Sequence, residues 1–187
     1  MEERLRTLAS IHANHFSAHL DAVRLRTGKI TERIRMEHPE AAAVLAFVDS
    51  HCTQVLMVRQ WRYAIGRETL EIPAGKLDTG ESAEEGARRE LLEETGYRAS
   101  TLVPIFRYHP AIGYSDEVIV IFAASGLNRE RARGDEDEIS RVEILSVDQV
   151  MRGIHEGTIT DGKTVIALCL YESLRACGAL ALSHSAD

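Results

Sequence analysis

Three glutamates that share one face of a predicted helix are the residues best suited to chemistry in this chain of 187 residues. Glu90, Glu93 and Glu94 stand at positions i, i+3 and i+4, which brings their side chains together. Their charges repel one another, and the C-terminal part of a helix also disfavours anions. A divalent cation would remove both penalties, because hard ions such as Mg²⁺ prefer carboxylate oxygens and often share them with substrate phosphates. Taken alone, the same residues also fit a solvated acidic face.

The neighbouring residues predict where this helix begins and ends. Ser82 followed by Glu85 forms a capping box, which predicts a helix that starts directly after Ser82. Gly96 is a typical residue just past a helix C-terminus. Arg89 lies four residues before Glu93, so its guanidinium can hold that carboxylate in place.

The segment around this helix resembles the signature of the Nudix hydrolases. That signature reads Gly, five residues, Glu, seven residues, Arg-Glu, an aliphatic residue, any residue, Glu-Glu, any residue, Gly, and an aliphatic or aromatic residue. The chain matches every specified position: Gly75, Glu81, Arg89, Glu90, Leu91, Glu93, Glu94, Gly96 and Tyr97. So many positions at fixed spacing make a chance match remote.

Two flanking regions extend the resemblance to one branch of that family. Arg59–Tyr63 and Leu70–Lys76 look like the ADP-ribose pyrophosphatases, and His109–Glu117 looks like a loop of nucleoside diphosphate sugar hydrolases. The resemblance implies an α/β fold, a Nudix-type α/β/α sandwich with a mixed central sheet. It also implies Mg²⁺-dependent hydrolysis of ADP-ribose or a related nucleoside diphosphate sugar to a nucleoside monophosphate and a sugar phosphate, with Mn²⁺ able to substitute. The base and the sugar stay open.

The resemblance assigns the metal to this helix and to one backbone carbonyl. Glu90 and Glu94 match the principal metal ligands of the family. Glu93 matches a third carboxylate, which ligates directly or through water and belongs with the catalytic residues. Ala74 matches a position whose carbonyl oxygen ligates metal.

An acidic loop after the signature supplies the general base in this branch of the family. Divalent cations neutralise a diphosphate and acidify a bound water, and a base must take the remaining proton. Residues 135–138 fill that place in the sequence. We expect Glu136 to be the base and Glu138 to be an extra metal ligand, and the reverse assignment stays open.

Four further residues are candidates for substrate binding. Arg62 is expected to grip a phosphate, because a guanidinium can donate to two oxygens at once. Trp61 either stacks on a base or fills an interface. Glu71 either contacts the nucleotide or terminal sugar, or forms a plain ion pair. Gly113 permits a ligand to approach the backbone closely.

Composition excludes several classes of partner. The chain has 22 Lys and Arg against 29 Asp and Glu, a net charge of -7 that would repel nucleic acid and anionic membranes. Its apolar runs are too short to cross a bilayer, and its first residues lack the apolar stretch of a secretory signal. The three cysteines show no metal-binding spacing. We therefore expect a cytoplasmic protein whose partner is a small molecule.

The remaining elements must position these residues. Residues 1–15 suggest a loose arm, and residues 16–37 an antiparallel hairpin around Thr27-Gly28-Lys29. Together, residues 1–37 are expected to form the dimer contact that is common in this branch of the family, so we expect a homodimer. Residues 38–179 are expected to be the hydrolase domain and 180–187 a frayed tail.

The last predicted helix, Gly162–Cys177, carries a broad apolar face that is expected to pack on the core. The residues of that face are Val165, Ile166, Cys169, Leu170 and Leu174.

Two alternatives to the nucleoside diphosphate sugar hydrolase remain. One is a nucleotide-sugar sensor that keeps the fold without the catalysis, although the complete set of Glu90, Glu93 and Glu94 argues against it. The other is a Nudix hydrolase of another nucleoside diphosphate derivative.

Overall fold

The structure, a computed structural model, describes residues 1–130 and 139–176. They fall into two compact units, Met1–Glu40 with Tyr108–Ile119 and the described part of Ala41–Arg107 with Val120–Asp187. The N-terminal unit thus takes in a segment that the expected boundary after residue 37 leaves in the hydrolase domain.

A three-stranded antiparallel sheet in the order β1-β2-β3 makes up most of the N-terminal unit. Its strands are β1 (Glu3–Ala13), β2 (Phe16–Arg24) and β3 (Ile30–Glu37). The predicted hairpin is confirmed as β2 and β3. The loose arm is wrong, because residues 3–13 form an exposed strand that pairs with β2 along its whole length. Cross-strand contacts such as Thr7 Oγ1 to Asp21 Oδ1 at 2.6 Å stabilise β1 although it buries no side chain of its own.

The segment Tyr108–Ile119 is tied to the end of β3 by backbone hydrogen bonds. The Met36 N–H donates to the Tyr114 carbonyl at 2.7 Å, and the Asp116 N–H donates to the Met36 carbonyl at 3.2 Å. These bonds explain why a distant stretch of sequence belongs to the same unit.

The described part of the second unit contains two sheets and three α-helices. The sheets have the strand orders β10-β5-β6 and β7-β4-β9-β8. The strands that follow β3 are β4 (Ala41–Ala46), β5 (Gln54–Arg62), β6 (Arg67–Glu71), β7 (Ala74–Lys76), β8 (Tyr97–Tyr108), β9 (Ile119–Arg129) and β10 (Ile139–Ser146). The helices are α1 (Ala83–Thr95), α2 (Val147–His155) and α3 (Gly162–Ala176).

Helix α1 begins and ends at the predicted residues. Ser82 and Glu85 form the complete capping box, and Gly96 follows the helix in the left-handed conformation with φ 75°. The helix buries Ala87 and Leu91 in a core cluster that includes residues of β4, β5 and β9. Glu90 and Glu94 lie beside this buried face, and both are half-buried.

Helix α3 buries a different face from the predicted one. Cys169 is exposed and Val165 and Ile166 are only half-buried, whereas the buried residues are Lys163, Thr164, Ala167, Leu168 and Tyr171. Polar contacts at the start of the helix, described below, turn Lys163 and Thr164 inward. None of the helices within the described ranges has the length and apolar character that crossing a bilayer demands.

Candidate active site

The carboxylate of Glu90 lies directly against the backbone of Gly75. A Cβ on residue 75 would lie 2.0 Å from the Cδ and 2.0 Å from the Oε1 of Glu90. No side chain fits there, so a glycine at this position is what lets the carboxylate from α1 reach β7.

A single guanidinium connects most of the acidic residues of the signature. Arg89 donates from Nε and Nη2 to the two oxygens of Glu81, each at 2.9 Å. Its Nη1 donates to Glu90 at 2.8 Å and to Glu93 at 2.9 Å, and Nη2 also reaches the Lys76 carbonyl at 2.9 Å. The hydrogen bonds to Glu81, Glu90 and Glu93 raise the pKa of Arg89 above its usual value. Glu81 therefore orients Arg89 through these two hydrogen bonds.

The remaining carboxylate of the signature, Glu94, contacts the backbone of β7. Its Oε2 accepts a hydrogen bond from the Ala74 N–H at 3.0 Å. Burial, reinforced by the nearby charge of Glu90, raises the pKa of Glu94 to about 8, against smaller opposing effects of Ala74, Lys163 and Arg62. Burial also raises the pKa of Glu90. Burial therefore disfavours the charged form of both carboxylates.

The donor set at this point fits a hard divalent cation, although it is not a preformed three-carboxylate centre. Within residues 1–130 and 139–176, no three His, Cys, Asp or Glu side chains form a group that could hold a metal ion. Glu90 and Glu94 nevertheless both adjoin the Ala74–Gly75 segment, which brings together two carboxylates and a backbone peptide. The side chain of Glu93 is 43% exposed and contacts Arg89, so it lies at the rim of this group.

A second group of charges surrounds Glu71, which is 2% exposed. Arg62 donates to it from Nε at 2.7 Å and also from Nη2, and Lys163 donates from Nζ. Thr69 Oγ1 donates at 2.5 Å. Burial alone would raise the pKa of Glu71, but the contacts with Arg62 and Lys163 prevail and lower it to about 2. The plain ion pair is therefore present in the structure.

The start of α3 holds Lys163 in this group. Asp161 accepts from the Thr164 N–H at 3.0 Å and from its hydroxyl at 2.6 Å, the arrangement of a helix N-cap. Asp161 also contacts Lys163 Nζ at 3.1 Å, and the Ile72 N–H donates to Thr164 Oγ1 at 2.9 Å. Sequence reasoning missed these residues. The available signal was an Asp three residues before a Thr, with a lysine placed where the helix dipole disfavours it.

The other predicted site residues are less constrained. Trp61 is 57% exposed and precedes Arg62 on β5, so the alternation of a strand directs the two side chains to opposite faces. Gly113 belongs to the N-terminal unit, and a Cβ there would meet nothing within 4 Å. Glu136 and Glu138 lie outside the described residues.

A family profile and two relatives each match most of this chain. The profile of the NUDIX domain matches residues 37–167. An ADP-ribose pyrophosphatase of Bacillus subtilis (strain 168) is 37% identical over 163 residues, which cover 84% of this chain and 87% of that protein. A methanol dehydrogenase activator of Bacillus methanolicus is 38% identical over 161 residues, covering 83% and 86%.

The fold is also that of a solved structure. The crystal structure of an ADP compounds hydrolase superposes with a TM-score of 0.82 at 24% sequence identity, covering 96% of this chain and 97% of the other. This likeness confirms the predicted α/β fold with a mixed sheet.

Proposed function

The chain belongs to the NUDIX domain family and is a Nudix hydrolase, and from that premise we propose that it hydrolyses the diphosphate bond of ADP-ribose or a closely related nucleoside diphosphate sugar. The products would be a nucleoside monophosphate and a sugar phosphate. The Bacillus subtilis relative named ADP-ribose pyrophosphatase, at 37% identity, supports this choice of substrate.

The observation that carries the proposal is the meeting of Glu90 and Glu94 at the Ala74–Gly75 segment. Nudix hydrolases generally use divalent metals, and we propose Mg²⁺, with Mn²⁺ as a substitute, held by Glu90, Glu94 and the Ala74 carbonyl. When bound, the ion neutralises the charge of the diphosphate and acidifies the attacking water. Glu93 contributes at the rim, through its contact with Arg89.

The protein's own residues supply the remaining functions. Arg62 binds a phosphate of the substrate, and Glu71 orients its guanidinium through two hydrogen bonds. Glu136 removes the proton of the attacking water, with Glu138 as the alternative base or an added ligand. Trp61 and Gly113 remain proposed substrate contacts.

We also propose that two copies associate through the N-terminal unit. Strand β1 exposes Leu5, Leu8 and Ile11, and β3 exposes Ile30 and Ile34. Exposed apolar side chains along two strands of one sheet are typical of a surface covered by a second copy. Sedimentation of a chain that starts at Glu37 tests this proposal, and an unchanged dimer would count against it.

A substrate panel tests the proposed reaction. Purified protein with Mg²⁺ is offered ADP-ribose, other ADP-sugars, GDP-sugars, a nucleoside triphosphate and coenzyme A, and the products are separated by chromatography. We expect nucleoside monophosphate and sugar phosphate from at least one diphosphate sugar. Tight binding of ADP-ribose without products would instead favour a sensor.

A further inference from the structure

Lys163 occupies a position that local electrostatics disfavour. Its side chain is 8% exposed, and lysine is almost never buried unless it is paired. It also lies in the first turn of α3, where the helix dipole repels cations. Two contacts offset these costs, one with Glu71 and one with Asp161 at 3.1 Å.

Contacts at the start of α3 fix the position of the Lys163 backbone. Asp161 caps α3 through the backbone and hydroxyl of Thr164, and the Thr164 hydroxyl in turn accepts from the Ile72 N–H at 2.9 Å. Ile72 directly follows Glu71, so the helix start and the end of β6 are joined at this point.

The charges of this group balance only when Lys163 is counted. Arg62 and Lys163 carry two positive charges, and Glu71 and Asp161 carry two negative charges. Without Lys163 the group would carry a net negative charge. The substrate of the proposed reaction is itself an anion, so such a charge would repel it.

Glu71 accepts hydrogen bonds from only part of the Arg62 guanidinium. Its Nε and Nη2 face Glu71, and 40% of its side chain is exposed. Among residues 1–130 and 139–176, no acceptor is found for its Nη1. That nitrogen remains free to donate to a phosphate oxygen in a guanidinium that is already oriented.

We propose that Lys163 is a positioning residue for the diphosphate of the substrate: it neutralises Glu71, which can then orient Arg62 without making this side of the site anionic. The inference rests on the proposed function, because it takes a diphosphate as the ligand. It assigns to Lys163 a role that acts through Glu71 and Arg62.

The test measures binding of ADP-ribose by calorimetry in EDTA, so that turnover does not enter. Lys163→Gln removes the charge but keeps an N–H donor, and Lys163→Arg keeps the charge. At low ionic strength, about 20 mM, we expect K163Q to raise the Kd about tenfold and K163R to stay within about threefold of wild type. The difference should shrink at high salt, since screening weakens charge interactions.

Equal Kd values for wild type and K163Q, or no effect of salt on their ratio, would overturn the proposal. The double variant Glu71→Gln/Lys163→Gln removes one charge of each sign, so the net charge of the group stays the same. It replaces K163Q in the test if K163Q does not fold. Its Kd is expected to respond to salt as the wild type does, and a different response would contradict the charge-balance argument.

A separate assay distinguishes failure of this inference from failure of the proposed function. Wild type that binds ADP-ribose but does not hydrolyse it with Mg²⁺ contradicts the function and leaves the Kd comparison intact. Wild type that does not bind ADP-ribose in EDTA contradicts the inference.

Discussion

The Cδ of Glu90 lies 2.0 Å from the point that a Cβ of Gly75 would occupy. The first residue of the Nudix signature is therefore glycine because a metal-ligand candidate from α1 fills the space of its missing side chain. This relationship links a sequence pattern to a specific contact, and it can be tested directly.

Gly75→Ala is expected to displace the Glu90 carboxylate. We predict a loss of hydrolysis of at least about tenfold, or roughly 1.4 kcal/mol of barrier, together with weaker binding of Mn²⁺ followed by electron paramagnetic resonance. Gly162→Ala is the matched control, because a Cβ there meets nothing within 4 Å and should change neither property. Normal Mn²⁺ affinity in G75A would refute the steric explanation.

Glu94→Gln is expected to stabilise the metal-free protein while abolishing its activity. The pKa of Glu94 is raised from 4.5 to about 8, so its ionisation costs stability as the pH rises from 4.5 to 8. Above pH 8 we expect the variant to be more stable by several kcal/mol, at most about 5 kcal/mol, in urea unfolding with EDTA. The advantage should vanish below pH 4.5, and an unchanged difference across this range would contradict the raised pKa.

Glu71→Gln is expected to destabilise the protein by about 3 kcal/mol at neutral pH, because it leaves Lys163 and Arg62 without their shared anion. The pKa of Glu71 is lowered from 4.5 to about 2, so its contribution is complete above pH 4.5 and is lost as the pH falls towards 2. Urea unfolding at a series of pH values measures this, and a gap between variant and wild type that stays constant down to pH 2 would rule it out.

Arg89→Lys keeps the charge but cannot donate to Glu81, Glu90 and Glu93 together. We expect a loss of about 2 kcal/mol in unfolding free energy and a large drop in activity. The neighbouring Arg88→Lys is the control, since the Arg88 pair with Glu84 is exposed and should matter by less than about 1 kcal/mol. Similar effects of the two variants would show that the Arg89 network is unimportant.

Glu136→Gln tests the proposed base. We expect the rate to fall by at least about tenfold, roughly 1.4 kcal/mol of barrier. In a plot of rate against pH, the fall in rate at acidic pH that reports protonation of the base should disappear, and the alkaline side should stay unchanged. Asp137→Asn is the control. If instead Glu138→Gln removes the acid limb, the roles of the two glutamates are exchanged.

Much of the helix that carries the site could be predicted because its signals are local. The capping box at Ser82 and the glycine at 96 fix the ends of α1 through contacts between residues close in sequence. The hairpin of β2 and β3 is likewise local, with its turn at Gly28. By contrast, β1 buries no side chain and depends on pairing with β2, so its own sequence gave little sign of a strand.

The charge group around Glu71 could be predicted only in part. Arg62 and Glu71 lie on the neighbouring strands β5 and β6, so their ion pair is local and is one of the two roles expected of Glu71. Lys163 joins them only after α3 has packed, and the apolar residues of α3 suggested another buried face. Polar contacts of Lys163 and Thr164 with residues 71 and 72 set the rotation of that helix instead. The spacing of apolar residues along a helix does not reveal such polar contacts, so it could not predict the rotation of α3.

Metal-dependent hydrolysis of ADP-ribose by wild type and Glu94→Gln is the decisive measurement for the proposed metal site. We expect wild type to release AMP at a rate that saturates with Mg²⁺ and stops in EDTA, and E94Q to be slower by about 100-fold or more, roughly 2.7 kcal/mol of barrier. Release that persists in EDTA, or an E94Q rate within about threefold of wild type (less than roughly 0.7 kcal/mol), would contradict it.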